Sequence, residues 1–226
     1  MLKSLFNFPY YQTNIPSYLY NKEELICNMV HNYRKDSSRN QWNPNCDLHH
    51  EYNDRDNEDY IKIDYEKLIP IYNKVVEDFI SQISFCKNIK WNYEIVNYTV
   101  TTNTQNMWPH HHIPSTFSAV HYIKFNPSVH KSSVFVNPSH YNQIFDLHYH
   151  DLVDCLDPNN DDNMWIFGNR TVSVKEDDIV ITPAIIEHAI GKSNSDEERI
   201  TIVLDINIFE DNEIKQNYNP EQIWVY

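Results

Sequence analysis

The chain has 226 residues, a formal net charge of −14 and 41% hydrophobic residues, and its 10 Phe, 16 Tyr and 5 Trp are enough to fill one sizeable core. A charge that negative excludes a nucleic-acid backbone as the main partner, because phosphate binding needs a concentrated basic surface and the sequence carries none. No apolar run approaches the ~18 residues that a bilayer span requires, which excludes a membrane helix.

Four scattered cysteines, Cys27, Cys46, Cys86 and Cys155, form no Cys-x-x-Cys pair, so a reducing cytoplasm is expected, with neither a zinc knuckle nor a disulfide framework. Only two glycines occur, Gly168 and Gly191, and turns must therefore rest on Asn, Asp and the 11 prolines. Residues 1–20, aromatic and punctuated by proline, read as an extended edge segment. From Asn21 the period becomes helical: Asn21 can cap, Glu24 follows three later, and Leu25, Ile26, Met29, Val30 and Tyr33 recur on one face, which predicts a helix over 22–34. The polar run Lys35–Asp59 is a loop. A second amphipathic helix carries Leu68, Tyr72, Val75, Val76, Phe79, Ile80 and Ile83 on one side, with Pro70 suited to its first turn.

After Asn88 the period falls to two. Strands are predicted at Tyr93–Val100, Phe117–Phe125, Ser133–Val136, Met164–Phe167, Thr171–Val174, Ile179–Thr182 and Arg199–Ile208. Short strands separated by turn residues, after two helices, give an α+β, mainly β chain built on a sandwich or barrel. The acidic stretch Asp157–Asn163 is a solvated loop, and the chain from Asp211 is a polar tail. Phe117, Phe125, Phe135 and Trp165 are core residues.

Three consecutive histidines, His110-His111-His112, are the first chemical signal. In an extended segment residues i and i+2 face the same way, so His110 and His112 present two imidazoles to one point while His111 faces elsewhere. Two nitrogen ligands completed by a distant third describe one face of a transition-metal site, and His188, in an apolar run after the turn at Pro183, supplies the third; imidazole suits iron, copper, nickel or zinc. The spacing also admits His111 as a ligand, or a carboxylate such as Asp146 entering from elsewhere. His49, His50, His130, His140, His148 and His150 read as surface or loop residues. On the strand that starts at Arg199, alternation puts Arg199 and Thr201 on one face, where a guanidinium fork beside a hydroxyl makes a carboxylate clamp. Tyr122 adds a donor that can point toward the same anion.

The order His110-x-His112, Ser118–Ile123, Val134–Pro138, Asp178–Pro183 with His188, then Glu198-Arg199-Ile200-Thr201, resembles the Fe(II)- and 2-oxoglutarate-dependent oxygenases, above all those of phages and marine bacteria in the prolyl-4-hydroxylase-like group. The resemblance implies a double-stranded β-helix, or jelly roll, with N-terminal helices packed on its major sheet. It makes residues 1–226 one oxygenase domain: 1–90 as extended segment and helices, 91–210 as jelly-roll core, 211–226 as tail. His110 and His188 would be iron ligands, with His112 at the position usually held by Asp or Glu. Arg199, Tyr122 and Thr201 would bind 2-oxoglutarate, and the 11-residue step from His188 to Arg199 agrees with the family's pattern.

With Fe(II), 2-oxoglutarate and O2 as cofactors, the implied activity is hydroxylation of a small-molecule or peptidyl substrate with release of succinate and CO2, in the cytoplasm, a host's if the source is a phage. Two other readings fit the same residues: a non-enzymatic jelly-roll structural or binding protein of phage type, and a three-histidine cupin-type dioxygenase that does not use 2-oxoglutarate.

Overall fold

The computed structural model describes residues 2–5, 8–35, 49–50, 60–138, 154–157 and 168–211. Most of the loop expected over 35–59, the strand expected at Met164–Phe167, most of the acidic run, the tail, Asp146, Trp165, His140, His148 and His150 lie outside them.

Two helices come early. α1 (Lys22–Lys35) starts where Asn21 accepts the Leu25 N–H at 3.1 Å and donates from Nδ2 to Glu24 at 3.0 Å. Glu23 and Glu24 in its first turn and Arg34 and Lys35 in its last complement the helix dipole. α2 (Ile69–Ile80) carries Pro70 in its first turn, where a missing N–H costs nothing.

The strands are β1 (Leu2–Leu5), β2 (Phe8–Asn14), β3 (His49–His50), β4 (Ile89–Thr101), β5 (Met107–His110), β6 (Phe117–Lys124), β7 (Ser133–Val136), β8 (Asn169–Thr171), β9 (Asp178–Pro183), β10 (His188–Ile190) and β11 (Arg199–Glu210). They form a seven-stranded sheet, β1-β2-β9-β6-β11-β4-β3, and a four-stranded sheet, β5-β10-β7-β8. Every pairing is antiparallel. Two such sheets face to face, with helices on the outside of the larger one, are the jelly roll that the sequence led us to expect.

Strand alternation divides the larger sheet's side chains between two layers. Ile200, Ile202, Leu204 and Ile206 of β11, Tyr98 and Val100 of β4, Ala119 and Ile123 of β6 and Ile179 and Ile181 of β9 pack with Leu25 and Met29 of α1 and Tyr72, Val76 and Phe79 of α2. The opposite parity turns Val120 and Tyr122 of β6 and Val180 of β9 inward, against Phe135, Val172, Val174 and Ile186. β6, β9 and β11 are buried along most of their length, and their polar positions, such as Ser118, His121, Thr182, Arg199 and Thr201, are buried with them.

Several expectations need correction. Residues 1–20 are no mere edge: β2 lies between β1 and β9, with Tyr11 opposite Ile181. The strand expected at Thr171–Val174 is Asn169–Thr171; beyond it Val172 and Val174 stay buried, but the backbone turns off the ladder toward Asp178, whose carboxylate accepts the Lys175 N–H at 3.0 Å. His130 stands in a loop, yet is only 4% exposed; its Nδ1 accepts the Asn126 N–H and its Nε2 donates to the Glu197 carbonyl. Asp177, at φ 67°, takes a conformation that in a glycine-poor chain falls to Asp and Asn.

Candidate metal centre and anion pocket

Three histidines converge at one end of the smaller sheet. β5 ends at His110 and β10 begins at His188, and these two residues face each other in the β5–β10 ladder. His112 follows just after β5, where its N–H donates to the Ala184 carbonyl at 2.9 Å. One nitrogen from each ring lies within 4.8 Å of one from each other ring, with ring centroids 4.5 to 5.3 Å apart. His111 is exposed at the cavity rim, outside the triad.

The other ring nitrogens fix the tautomers. His110 Nδ1 lies 2.9 Å from the Trp108 carbonyl, and His188 Nδ1 lies 3.2 Å from the Ile186 carbonyl. A carbonyl only accepts, so Nδ1 carries the hydrogen in both rings and Nε2 keeps its lone pair. His112 Nδ1 lies 2.9 Å from Asp205 Oδ1, with the same consequence. Burial lowers the pKa of His110 to about 4 and that of His188 to about 3, so both are neutral at physiological pH. Three converging imidazoles, each with its Nδ1 anchored by an acceptor, are a donor set that suits a transition-metal ion.

The anion pocket is built by parity on β11. Thr201, Val203 and Asp205 line the cavity, opposite the apolar positions that face the helices, and Arg199 has the same parity two positions before Thr201. Arg199 is fully buried, and none of its three guanidinium nitrogens has a hydrogen-bond partner. Its guanidinium carbon stands 5.2 Å from the centroid of the Tyr122 ring. Such a cation–π contact is worth roughly 0.5–2 kcal/mol, while burying an unpaired charge costs several kcal/mol. Tyr122 alone therefore does not offset the burial; an anion would.

The Tyr122 hydroxyl itself pairs with Ser133 Oγ at 3.0 Å and accepts the Ser133 N–H at 3.3 Å. Thr201 Oγ1 lies 2.7 Å from Thr99 Oγ1 on β4. A cavity of about 340 Å³ is lined by the three histidines, Asn97, Thr99, Ser133, Thr201 and Asp205 among others.

The structure thus gathers His110, His112 and His188 at one place on the cavity wall; Thr201 lines the same cavity, while Arg199 and Tyr122 lie against each other outside its lining. Sequence reasoning missed Asp205, Thr99, Ser133 and Asn97, whose buried Oδ1 has no partner. Parity held the signal for Asp205, which lies four positions beyond Thr201 on a strand already assigned. The pairing of Thr99 with Thr201 depends on the β4–β11 register, which no local pattern reveals.

Residues 97–205 match the family model described as "Putative 2OG-Fe(II) oxygenase". The fold is similar to that of a Pseudomonas putida prolyl-4-hydroxylase, at 10% identity and a TM-score of 0.54, over 90% of this chain and 94% of that one. It is also similar to the non-heme alpha ketoglutarate dependent epimerase SnoN from nogalamycin biosynthesis, at 13% identity and a TM-score of 0.51, over 89% and 78% of the two chains. No curated protein matches the sequence.

Proposed function

We propose that the chain, whose residues 97–205 match the 2OG-Fe(II) oxygenase model, uses Fe(II), 2-oxoglutarate and O2 to hydroxylate a small-molecule or peptidyl substrate. In this reading His110, His112 and His188 hold the metal, and Arg199, Thr201 and Tyr122 serve 2-oxoglutarate. The observation that carries it is the buried guanidinium of Arg199, which has only the Tyr122 ring against it and stands two positions before Thr201 of the cavity wall on the strand that also reaches His112 through Asp205.

When bound, Fe(II) and 2-oxoglutarate supply the oxidising chemistry, in which one oxygen atom of O2 enters succinate as CO2 leaves and the other enters the substrate. The chain's own part is to bind, orient and exclude. Arg199 offers a planar fork to the far carboxylate, and the Thr201 hydroxyl, shared with Thr99, adds a donor beside it. Tyr122 serves in two ways: its ring covers the guanidinium, and its hydroxyl aligns Ser133 toward the cavity. The anchored Nδ1 atoms hold the three rings in place, with one nitrogen of each within 4.8 Å of the others, which limits the reorganisation that metal entry needs.

No helix among the described residues is long and apolar enough to cross a membrane. The free thiols of Cys27, Cys86 and Cys155 are exposed, which suits the reducing cytoplasm we assign.

Succinate formation tests the reading. Protein loaded anaerobically with Fe(II) and 2-oxoglutarate should release succinate when O2 is admitted, and the His188→Ala variant should not. Equal succinate from both proteins, or none from either, would rule the reading out.

A further inference from the structure

The histidine triad poses a charge problem that Asp205 answers. Three imidazole ligands bring no negative charge to a dication, whereas the resemblance places a carboxylate at the position of His112. Among the described residues, the group that can hold a metal consists of the three histidines alone. A carboxylate nevertheless reaches this site at one remove. Asp205 Oδ1 lies 2.9 Å from His112 Nδ1, both side chains are mostly buried at 13% and 22% exposure, and both line the cavity.

The other two rings donate through Nδ1 to backbone carbonyls, at Trp108 and Ile186, whereas the Nδ1 of His112 donates to a carboxylate. The pair also crosses between sheets. Asp205 belongs to β11 of the seven-stranded sheet, while His112 follows β5 of the four-stranded one, so the hydrogen bond fastens the histidine turn to the strand that carries Arg199.

We propose that Asp205 is the positioning residue that replaces the absent carboxylate ligand, supplying its negative charge to the metal through the ring of His112. A carboxylate on the far nitrogen holds the ring's rotation and tautomer and strengthens Nε2 as a donor. The inference rests on the metal-centre reading above and concerns residues outside its ligand set.

The experiment is Mn(II) titration of the metal-free protein, with free Mn(II) followed by electron paramagnetic resonance. The proteins compared are the wild type, Asp205→Asn, His112→Asp, the double variant and His188→Ala, with thermal melting of each metal-free protein alongside. Asn keeps an oxygen that can accept from Nδ1–H and removes only the charge. Asp205→Asn should weaken Mn(II) binding about 10–100-fold with an unchanged melting temperature.

In the His112→Asp background the effect should vanish or reverse, because the carboxylate then sits in the ligand set and a second one repels it. Wild-type affinity in Asp205→Asn would overturn the proposal and leave the metal centre standing. Equal weakening by Asp205→Asn in both backgrounds would overturn it too, because the loss would then not pass through His112. Failure of the wild type to bind Mn(II), or undiminished binding by His188→Ala, would remove the metal-centre reading and the proposal with it.

Discussion

Arg199 sets function against stability more plainly than any other residue here. It is fully buried, its nitrogens are unpaired, and burial pushes its pKa down from the ordinary arginine value. Arg199→Met should therefore raise the melting temperature of the protein free of 2-oxoglutarate, since an apolar side chain of similar length removes a desolvation cost of several kcal/mol. The same variant should lose 2-oxoglutarate affinity by 100-fold or more in calorimetric titration. A three-histidine enzyme that ignores 2-oxoglutarate would show no such loss. At this scale the sequence was readable where chemistry repeats at short spacing: His110 with His112, and Arg199 with Thr201. It was not readable where two distant strands must be brought into register before a contact exists, as for Asp205 with His112 or Thr99 with Thr201.

β11 is the element on which the rest depends, because its two faces do different work. One faces the helices with Ile200, Ile202, Leu204 and Ile206, and the other lines the cavity. Leu25 of α1 packs on the first face's layer at 1% exposure. Leu25→Ala should cost roughly 2–5 kcal/mol in urea denaturation and leave Mn(II) affinity intact. β6 divides likewise, and its Tyr122 hydroxyl serves Ser133 on β7. Tyr122→Phe should cost roughly 1–3 kcal/mol, because the buried Ser133 N–H loses its acceptor, and should weaken 2-oxoglutarate binding less than Arg199→Met does.

The long strands were legible because apolar, largely β-branched residues alternate along them with a period of two. β5 and β10, of four and three residues, were not expected as strands, and they pair with each other and, for β10, with β7.

The whole molecule is a pair of facing sheets with the reactive groups between them and a helical layer behind. That layer hides a pH-sensitive group remote from the metal centre. His121 is fully buried, its Nδ1 lies 2.8 Å from the Tyr72 hydroxyl, and burial, with Lys22 nearby, lowers its pKa to about 3. A histidine whose folded pKa lies below its unfolded value of ~6.5 supports the fold above pH 6.5. That support is lost progressively as pH falls toward 3, because the unfolded chain takes the proton first. Between pH 6.5 and 5 the loss from His121 should be roughly 2 kcal/mol. His121→Gln should flatten that part of the stability profile, leaving the share of His110 and His188.

The claim that joins all scales is that one cavity holds a metal at the histidines and a dicarboxylate at Arg199 together. Calorimetric titration of 2-oxoglutarate into anaerobic protein, with and without Mn(II), measures this most directly. One molecule of 2-oxoglutarate should bind per chain, at least 10-fold more tightly with Mn(II) than without. Binding of equal strength in the two titrations, or no binding in either, would contradict it.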